Sequence, residues 1–201
     1  MEFEELFQPC QAAAQVSPVV PARFTESGQL LDLLCQFPQR FHLSDANRQW
    51  IMDVRRRLNG APLAVEFRHH SWDRADVYEW LGAEGITLVS VDVPDIAALF
   101  PRKLVQAGDD IYVRLHSRRA ESWYGEGGER YDYLYSEQEM SEWIDALERT
   151  KEKARRAMIL FNNCRRANAV INAQQMMQLL SRRAFTLVAP SPAGADQGTL
   201  F

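Results

Sequence analysis

Five short apolar runs separated by stretches of helical period constrain this chain more than any other feature. They are residues 33–37 (LLCQF), 63–67 (LAVEF), 86–91 (ITLVSV), 111–115 (IYVRL) and 158–161 (MILF). Each is nearly continuous in apolar residues, as expected of a strand covered on both faces. Between them, residues 44–58 set Trp50, Ile51, Val54 and Leu58 on one helical stripe, and residues 73–81 group Val77, Tyr78 and Leu81. Ser136 and Glu139 spell a capping box ahead of Trp143, Ile144 and Leu147, and residues 170–180 supply a last helix. Strands alternating with helices predict an α/β fold of parallel strands and crossover helices.

Composition sets the outer bounds. At 201 residues and 46% hydrophobic, the chain can bury one sizeable core. A net charge of −4 supplies no overall attraction to nucleic acid or anionic membrane, so any anion site must be local. No apolar run is long enough to span a bilayer, and the acidic start MEFEELFQPC is unlike a signal peptide. Cys10, Cys35 and Cys164 form no C-x-x-C pair and read as reduced thiols, so the expected location is cytoplasmic. Residues 1–29 read as an N-terminal helical segment, 30–183 as the body of parallel strands and helices, and 184–201, rich in Ala, Pro and Gly, as a flexible tail.

In parallel sheets and barrels the ligand site forms at the carboxyl ends of the strands. There this sequence turns polar. The first strand ends in Gln36-Phe37-Pro38 with His42 soon after, and the second in Glu66-Phe67-Arg68-His69-His70-Ser71-Trp72. The third reaches Asp92, the fourth gives Arg114-Leu115-His116-Ser117-Arg118-Arg119, and the fifth gives Phe161-Asn162-Asn163. All 4 histidines fall at or just beyond these ends.

These motifs, Q-F-P, E-F-R-H-x-S-W, an Asp after ITLVSV, Y-V-R-L-H and F-N-N before an A-x-x-N-A helix, resemble the YecE-like family of domains of unknown function (DUF72). The resemblance runs from about Leu30 to Leu180, in the family's order. It implies a TIM-like (β/α) barrel of which this chain supplies about strands four to eight, an N-terminally truncated member. The family's opening G-x-x-x-W/Y, V-E-x-N and F-x-F-x-x-K strands do not occur before Leu30, which leaves three alternatives: an open five-stranded α/β sheet, a homo-oligomer closing its two edges across chains, or a start codon placed too far downstream. His69-His70 adds a histidine to the family's second motif, and Ser117 stands where the family has glycine, so serine must make that turn. The resemblance implies no established activity.

The strand-end residues suggest a chemistry of their own. Arg68, Arg114 and one of Arg118 or Arg119 are suited to an anionic group, because guanidinium pairs bidentately with phosphate or carboxylate. His69 and His116 are the candidate acid/base pair, with Glu66 or Asp92 orienting one of them, and Gln36, Trp72, Asn162 and Asn163 complete a substrate-binding set. The reaction expected is hydrolysis or isomerisation of a phosphorylated or carboxylated small molecule. These residues assign no cofactor and no metal ligand. Each element also has a plainer reading: Glu66 and Arg68 as a satisfied pair inside the barrel, Asp92 as the cap of a short helix over 96–100, Asn162 and Asn163 as turn formers, Arg118, Arg119, Arg165 and Arg166 as solvated charges.

Two further readings stay open. Glu66, His69, Asp92 and His116 are ligand types found in metal-dependent phosphoesterase-like and isomerase-like barrels. Alternatively the chain is a non-enzymatic binding module or an inactive truncated barrel. Trp72, Trp123, Tyr124, Tyr131 and Tyr133, interleaved with Arg118, Arg119 and Arg130 in the long 117–135 loop, suit stacking on bases or sugars, although Glu121, Glu126, Glu129 and Asp132 dilute the charge that nucleic acid would need.

Overall fold

The computed structural model describes residues 30–125, 128–150 and 154–188, so the expectations for residues 1–29, for Cys10 and for most of the tail lie outside the described residues. Strands β1 (Leu33–Gln36), β2 (Leu63–Glu66), β3 (Ile86–Asp92), β4 (Asp110–Leu115) and β5 (Arg156–Phe161) lie side by side in chain order, every neighbouring pair parallel. Helices α1 (Asp45–Arg57), α2 (Ala75–Ala83) and α3 (Glu137–Thr150) make three of the crossovers, and α4 (Asn168–Arg182) follows β5. This is an α/β fold, an open parallel sheet consistent with a partial barrel.

Local sequence explains the helix starts. The Ser44 side chain accepts from the Asn47 N–H at 3.1 Å and begins α1. At α3 the capping box forms: the Ser136 N–H donates to Glu139 Oε2 at 2.8 Å, and the Glu139 N–H to Ser136 Oγ at 3.3 Å. Each expected helical stripe faces inward, burying Ile51 and Val54, Val77 and Leu81, and Trp143, Ile144 and Leu147.

Two expectations fail locally. Residues 96–100 form no helix. Leu99 instead makes an antiparallel bridge to His69, and the Phe100 N–H donates to the Arg68 carbonyl at 3.0 Å, so the β3–β4 crossover is a loop laid against the end of β2. Coverage on both faces holds for β2 and β3, which are buried throughout, but β1 and β5, which among the described residues have a neighbouring strand on one side only, are half-exposed. Ser117 is not among the residues with positive φ, so the turn after β4 needs no glycine-like backbone. Cys35 and Cys164 are not disulfide-bonded.

Register decides which residues meet. Gln36 pairs with Glu66, and extending the β2–β3 register by one residue sets Glu66 beside Val89, the partner of Tyr112. Arg114, two residues past Tyr112, therefore shares a face with Gln36 and Glu66. Asp92, three past Val89, points to the opposite, helix-covered face.

The polar face is concave. In a flat sheet β1 and β5 would lie about 19 Å apart, four strand spacings. Yet Arg156 Nη2 of β5 donates to the Leu31 carbonyl just before β1 at 3.1 Å, and Arg114 Nη1 of β4 to Gln36 Oε1 of β1 at 3.0 Å. Arginines reach across the trough only because the sheet curls.

Candidate functional site

At the carboxyl ends of the strands a cavity of about 260 Å³ opens between Gln36, Arg68, His116, Trp123, Arg130 and Tyr131, with Pro38, Gln39, Leu99 and Tyr124 at its margin. Beneath it lies Glu66, fully buried, ion-paired to Arg68 with Nη2 2.8 Å from Oε1, and to Arg114 through Oε2. His116 Nε2 stands 3.2 Å from the same Oε1. Although Arg68 and His116 are close, neither aligns as a directed hydrogen bond to Oε1, so their attraction to that oxygen is chiefly electrostatic.

The amide of Asn162 fixes the protonation of His116. Arg114 Nη2 approaches Asn162 Oδ1 at 3.4 Å, which turns the Asn162 amide nitrogen toward His116 Nδ1 at 3.0 Å. Arg68 Nη2 also lies 3.4 Å from Nε2, and a neutral imidazole accepts at one nitrogen only; the shorter Asn162 contact is taken as the hydrogen bond, so Nδ1 is assigned as the acceptor and Nε2 as the nitrogen that carries hydrogen. A proton on Nδ1 would oppose the Asn162 N–H. Burial agrees, lowering the pKa of His116 against the pull of Glu66, with Arg68 and Arg114 lowering it further. Burial alone would raise the Glu66 carboxyl, but His116, Arg68 and Arg114 together hold it down to about 2. Burial also lowers the Arg68 guanidinium, which Glu66 partly restores.

The cluster is thus an ionised carboxylate, a neutral imidazole and two guanidinium ions. The Arg68 guanidinium lies 5.6 Å over the Trp123 ring, and that of Arg130 4.9 Å over Tyr131. Across the mouth, the Tyr124 hydroxyl and Gln39 Oε1 are 3.1 Å apart.

Of the expected site residues, Glu66, Arg68, Arg114, His116, Gln36 and Asn162 meet here. Asp92 does not. It lies on the helix side, where Arg118 Nε and Nη2 donate to it at 3.0 and 2.8 Å, Trp143 Nε1 at 2.6 Å and the Tyr135 hydroxyl at 3.1 Å. Arg118 is held there by Asp92 and Glu142, so it does not join Arg68. Asn163 is buried, donating to the Tyr133 carbonyl at 2.7 Å and to Asn172 Oδ1 at 2.9 Å. Trp72 is buried in an aromatic stack, 4.1 Å from Phe67 and 5.5 Å from Phe41, its Nε1 donating to the Phe41 carbonyl at 2.7 Å. His69 lies between His42, on which it stacks, and His70, which is tilted against it, apart from His116. Among the described residues no group of three or more His, Cys, Asp or Glu side chains is placed to hold a metal ion, so Glu66, His69, Asp92 and His116 do not converge as ligands.

A family model described as "Protein of unknown function DUF72" matches residues 8–196. The chain belongs to the DUF72 family. UPF0759 protein YunF of Bacillus subtilis (strain 168) is 30% identical over an alignment of 169 positions that covers 78% of this chain and 60% of YunF, so the chain spans less than two thirds of that relative. A DUF72 protein of Thermotoga maritima MSB8 superimposes with a TM-score of 0.79 at 36% identity, over 89% of this chain and 68% of its own. A DUF72 protein of Enterococcus faecalis V583 gives 0.74 at 25% identity, over 85% and 65%. These chains share the fold of this DUF72 protein, and their descriptions assign no activity. Among the described residues no helix is long and apolar enough to cross a membrane.

Cavity residues outside the expected set are Trp123, Tyr124, Arg130 and Tyr131, with Pro38, Gln39 and Leu99. The first four carry a sequence signal, aromatics interleaved with arginines in the 117–135 loop, which suggested stacking on bases or sugars rather than walls of a small cavity. Leu99 carries none, being an apolar residue in a loop.

Proposed function

We propose that this DUF72 chain binds a small anionic ligand, a phosphate- or carboxylate-bearing molecule, in the strand-end cavity. One observation carries the reading: a single carboxylate, Glu66, serves two buried guanidinium groups, Arg68 and Arg114. The cluster keeps a net positive charge in a place where uncompensated charge is costly, and an anion in the cavity would complete it. Arg114 is already served by Glu66, Gln36 and Asn162, whereas Arg68 lines the cavity and keeps donors for a ligand. Arg130 adds a second cation at the mouth. Among the described residues it makes a contact with the Tyr131 ring and no ion pair.

His116 supplies the acid/base part of the reading. Its Nε2–H lies beside the cavity, suited to donate to a ligand oxygen that gains negative charge in hydrolysis or isomerisation. The neutral ring is held as a donor by Asn162, and Glu66 offsets the imidazolium disfavoured by the two arginines.

Calorimetric titration with inorganic phosphate tests the binding. The expected result is measurable binding that weakens by at least about tenfold in Arg68→Met, the loss of roughly one charged hydrogen bond. The exposed Arg57→Met on α1 keeps full affinity. Absence of binding to phosphate and to a panel of carboxylates, or equal affinity in Arg68→Met, would overturn the reading.

A further inference from the structure

Three of the chain's histidines cluster behind segments that line the cavity, His42 stacked on His69 and His70 tilted against it. His42, from the β1–α1 loop, lies 3.9 Å from His69, ring centre to ring centre, and His69 lies 4.4 Å from His70. His69 Nδ1 meets Ser71 twice, accepting the backbone N–H at 3.2 Å and standing 2.9 Å from Oγ. Ser71 Oγ in turn accepts the Leu43 N–H at 2.9 Å, so the hydroxyl hydrogen is free to point at Nδ1. A relay therefore runs from Leu43 through Ser71 to His69, and it requires Nδ1 to be unprotonated. The main chain of the same residues holds a third loop: His69 bridges Leu99, the His70 N–H donates to the Ala98 carbonyl at 3.3 Å, and the Phe100 N–H to the Arg68 carbonyl at 3.0 Å. Leu99 lines the cavity, as do Pro38 and Gln39 on the loop that His42 ties down.

We propose that the His42–His69–His70 cluster is an acid-released clamp on the cavity, closed while the rings are neutral and opened when protonation crowds like charges onto neighbouring rings and turns His69 Nδ1 from acceptor to donor. The titratable neighbours of His69 are His42 on the facing loop and His70 on its own. Segment 98–100 presents only Ala98, Leu99 and Phe100, while Asp73, Asp95 and Arg102 share a groove with His70. In support, burial lowers the pKa of His69, as do His42 and His70. The sign follows: a histidine held below its ordinary value stabilises the closed form above that value and loses the contribution as pH falls. The histidine trio lies beyond the Glu66 cluster, and only the ligand-binding consequence rests on the anion reading.

Amide hydrogen exchange, corrected for its intrinsic pH dependence, tests the clamp without a ligand. Protection at Leu43, His70 and Phe100 is expected to fall about tenfold between about pH 7.5 and about pH 5. In His69→Asn, whose Oδ1 substitutes for Nδ1 as acceptor and does not titrate, protection should change no more than about twofold over that range. His42→Phe, which keeps the stacked face without the charge, should respond by an intermediate amount and serves if His69→Asn does not fold. Equal acid response in wild type and variants would overturn the clamp. Inorganic sulfate, whose charge is constant over this range, then probes the cavity: its affinity should fall with acid more steeply in wild type than in His69→Asn. Exchange that changes while sulfate affinity follows the same profile in both proteins would overturn control of the cavity. Sulfate, phosphate and the panel of carboxylates binding at no pH would overturn the anion reading, with the exchange result still deciding the clamp.

Discussion

Glu66 and Asp92 are both fully buried carboxylates at the ends of neighbouring strands, yet they belong to opposite kinds of cluster. Asp92 faces the helices, where one arginine, Arg118, meets three carboxylates, Asp92, Glu139 and Glu142, and directed donors from Arg118, Trp143 and Tyr135 fill both Asp92 oxygens. Glu66 faces the trough, where two arginines share one carboxylate and Oε1 has no directed donor. The Asp92 cluster is closed and joins the strand end to α3. The Glu66 cluster is unfinished, with surplus positive charge and an open cavity above it. Burial alone does not mark function. The balance of charge and the direction of the donors separate a brace from a receptor.

The sharpest way to break this contrast is Asp92→Ala, which strands Arg118 and removes the acceptor for Trp143 and Tyr135. Urea unfolding should show a loss of about 3–5 kcal/mol, the cost of breaking a buried pair, and added phosphate should not restore it. A loss below about 1 kcal/mol would mean that Asp92 is no brace.

Acid titration probes the other cluster. The folded-state carboxyl of Glu66 lies at about 2 against an ordinary 4.5, so its contribution is present above the ordinary value and is lost as pH falls from there toward the folded one. The shift corresponds to about 3 kcal/mol. Stability of wild type should decline through that window relative to Glu66→Gln, whose profile should be flatter. Parallel profiles would show that Glu66 is not held by its arginines.

Trp143→Phe gives the smallest expected effect, about 2 kcal/mol for a hydrogen bond to a charged group, read as a lowered Tm. Because it touches only the brace, phosphate affinity at the cavity should stay as in wild type. A matching loss of affinity would couple the two clusters and erase the distinction between them.

Much of this was legible in the residues. The five strands and their order came from continuous apolar runs, and the capping box at Ser136 and Glu139 formed as written. Strand-end polarity brought Gln36, Glu66, Arg68, Arg114, His116 and Asn162 to one place. Asp92 and Asn163 were misplaced because the chemistry of a side chain does not reveal its parity: one step of register carries it through the sheet. Trp72 was misjudged because an aromatic beside a site looks the same in sequence whether it faces ligand or core. The segment 96–100 resembled a helix because it is apolar and follows Val93-Pro94, but pairing with residues 68–70 satisfies its backbone instead. Sequence also grouped all 4 histidines, whereas space divides them into a lone buried His116 and a clustered trio.

The tie from Arg156 to the Leu31 carbonyl works like a bowstring, drawing the first and last strands of the sheet toward each other. With the Arg114 tie to Gln36, it sets the span of the arc through flexible side chains rather than through a ladder of backbone bonds. Any strand that wedges between these margins, from this chain or another, must first unstring the bow, so the ease of such an insertion is set by two guanidinium groups.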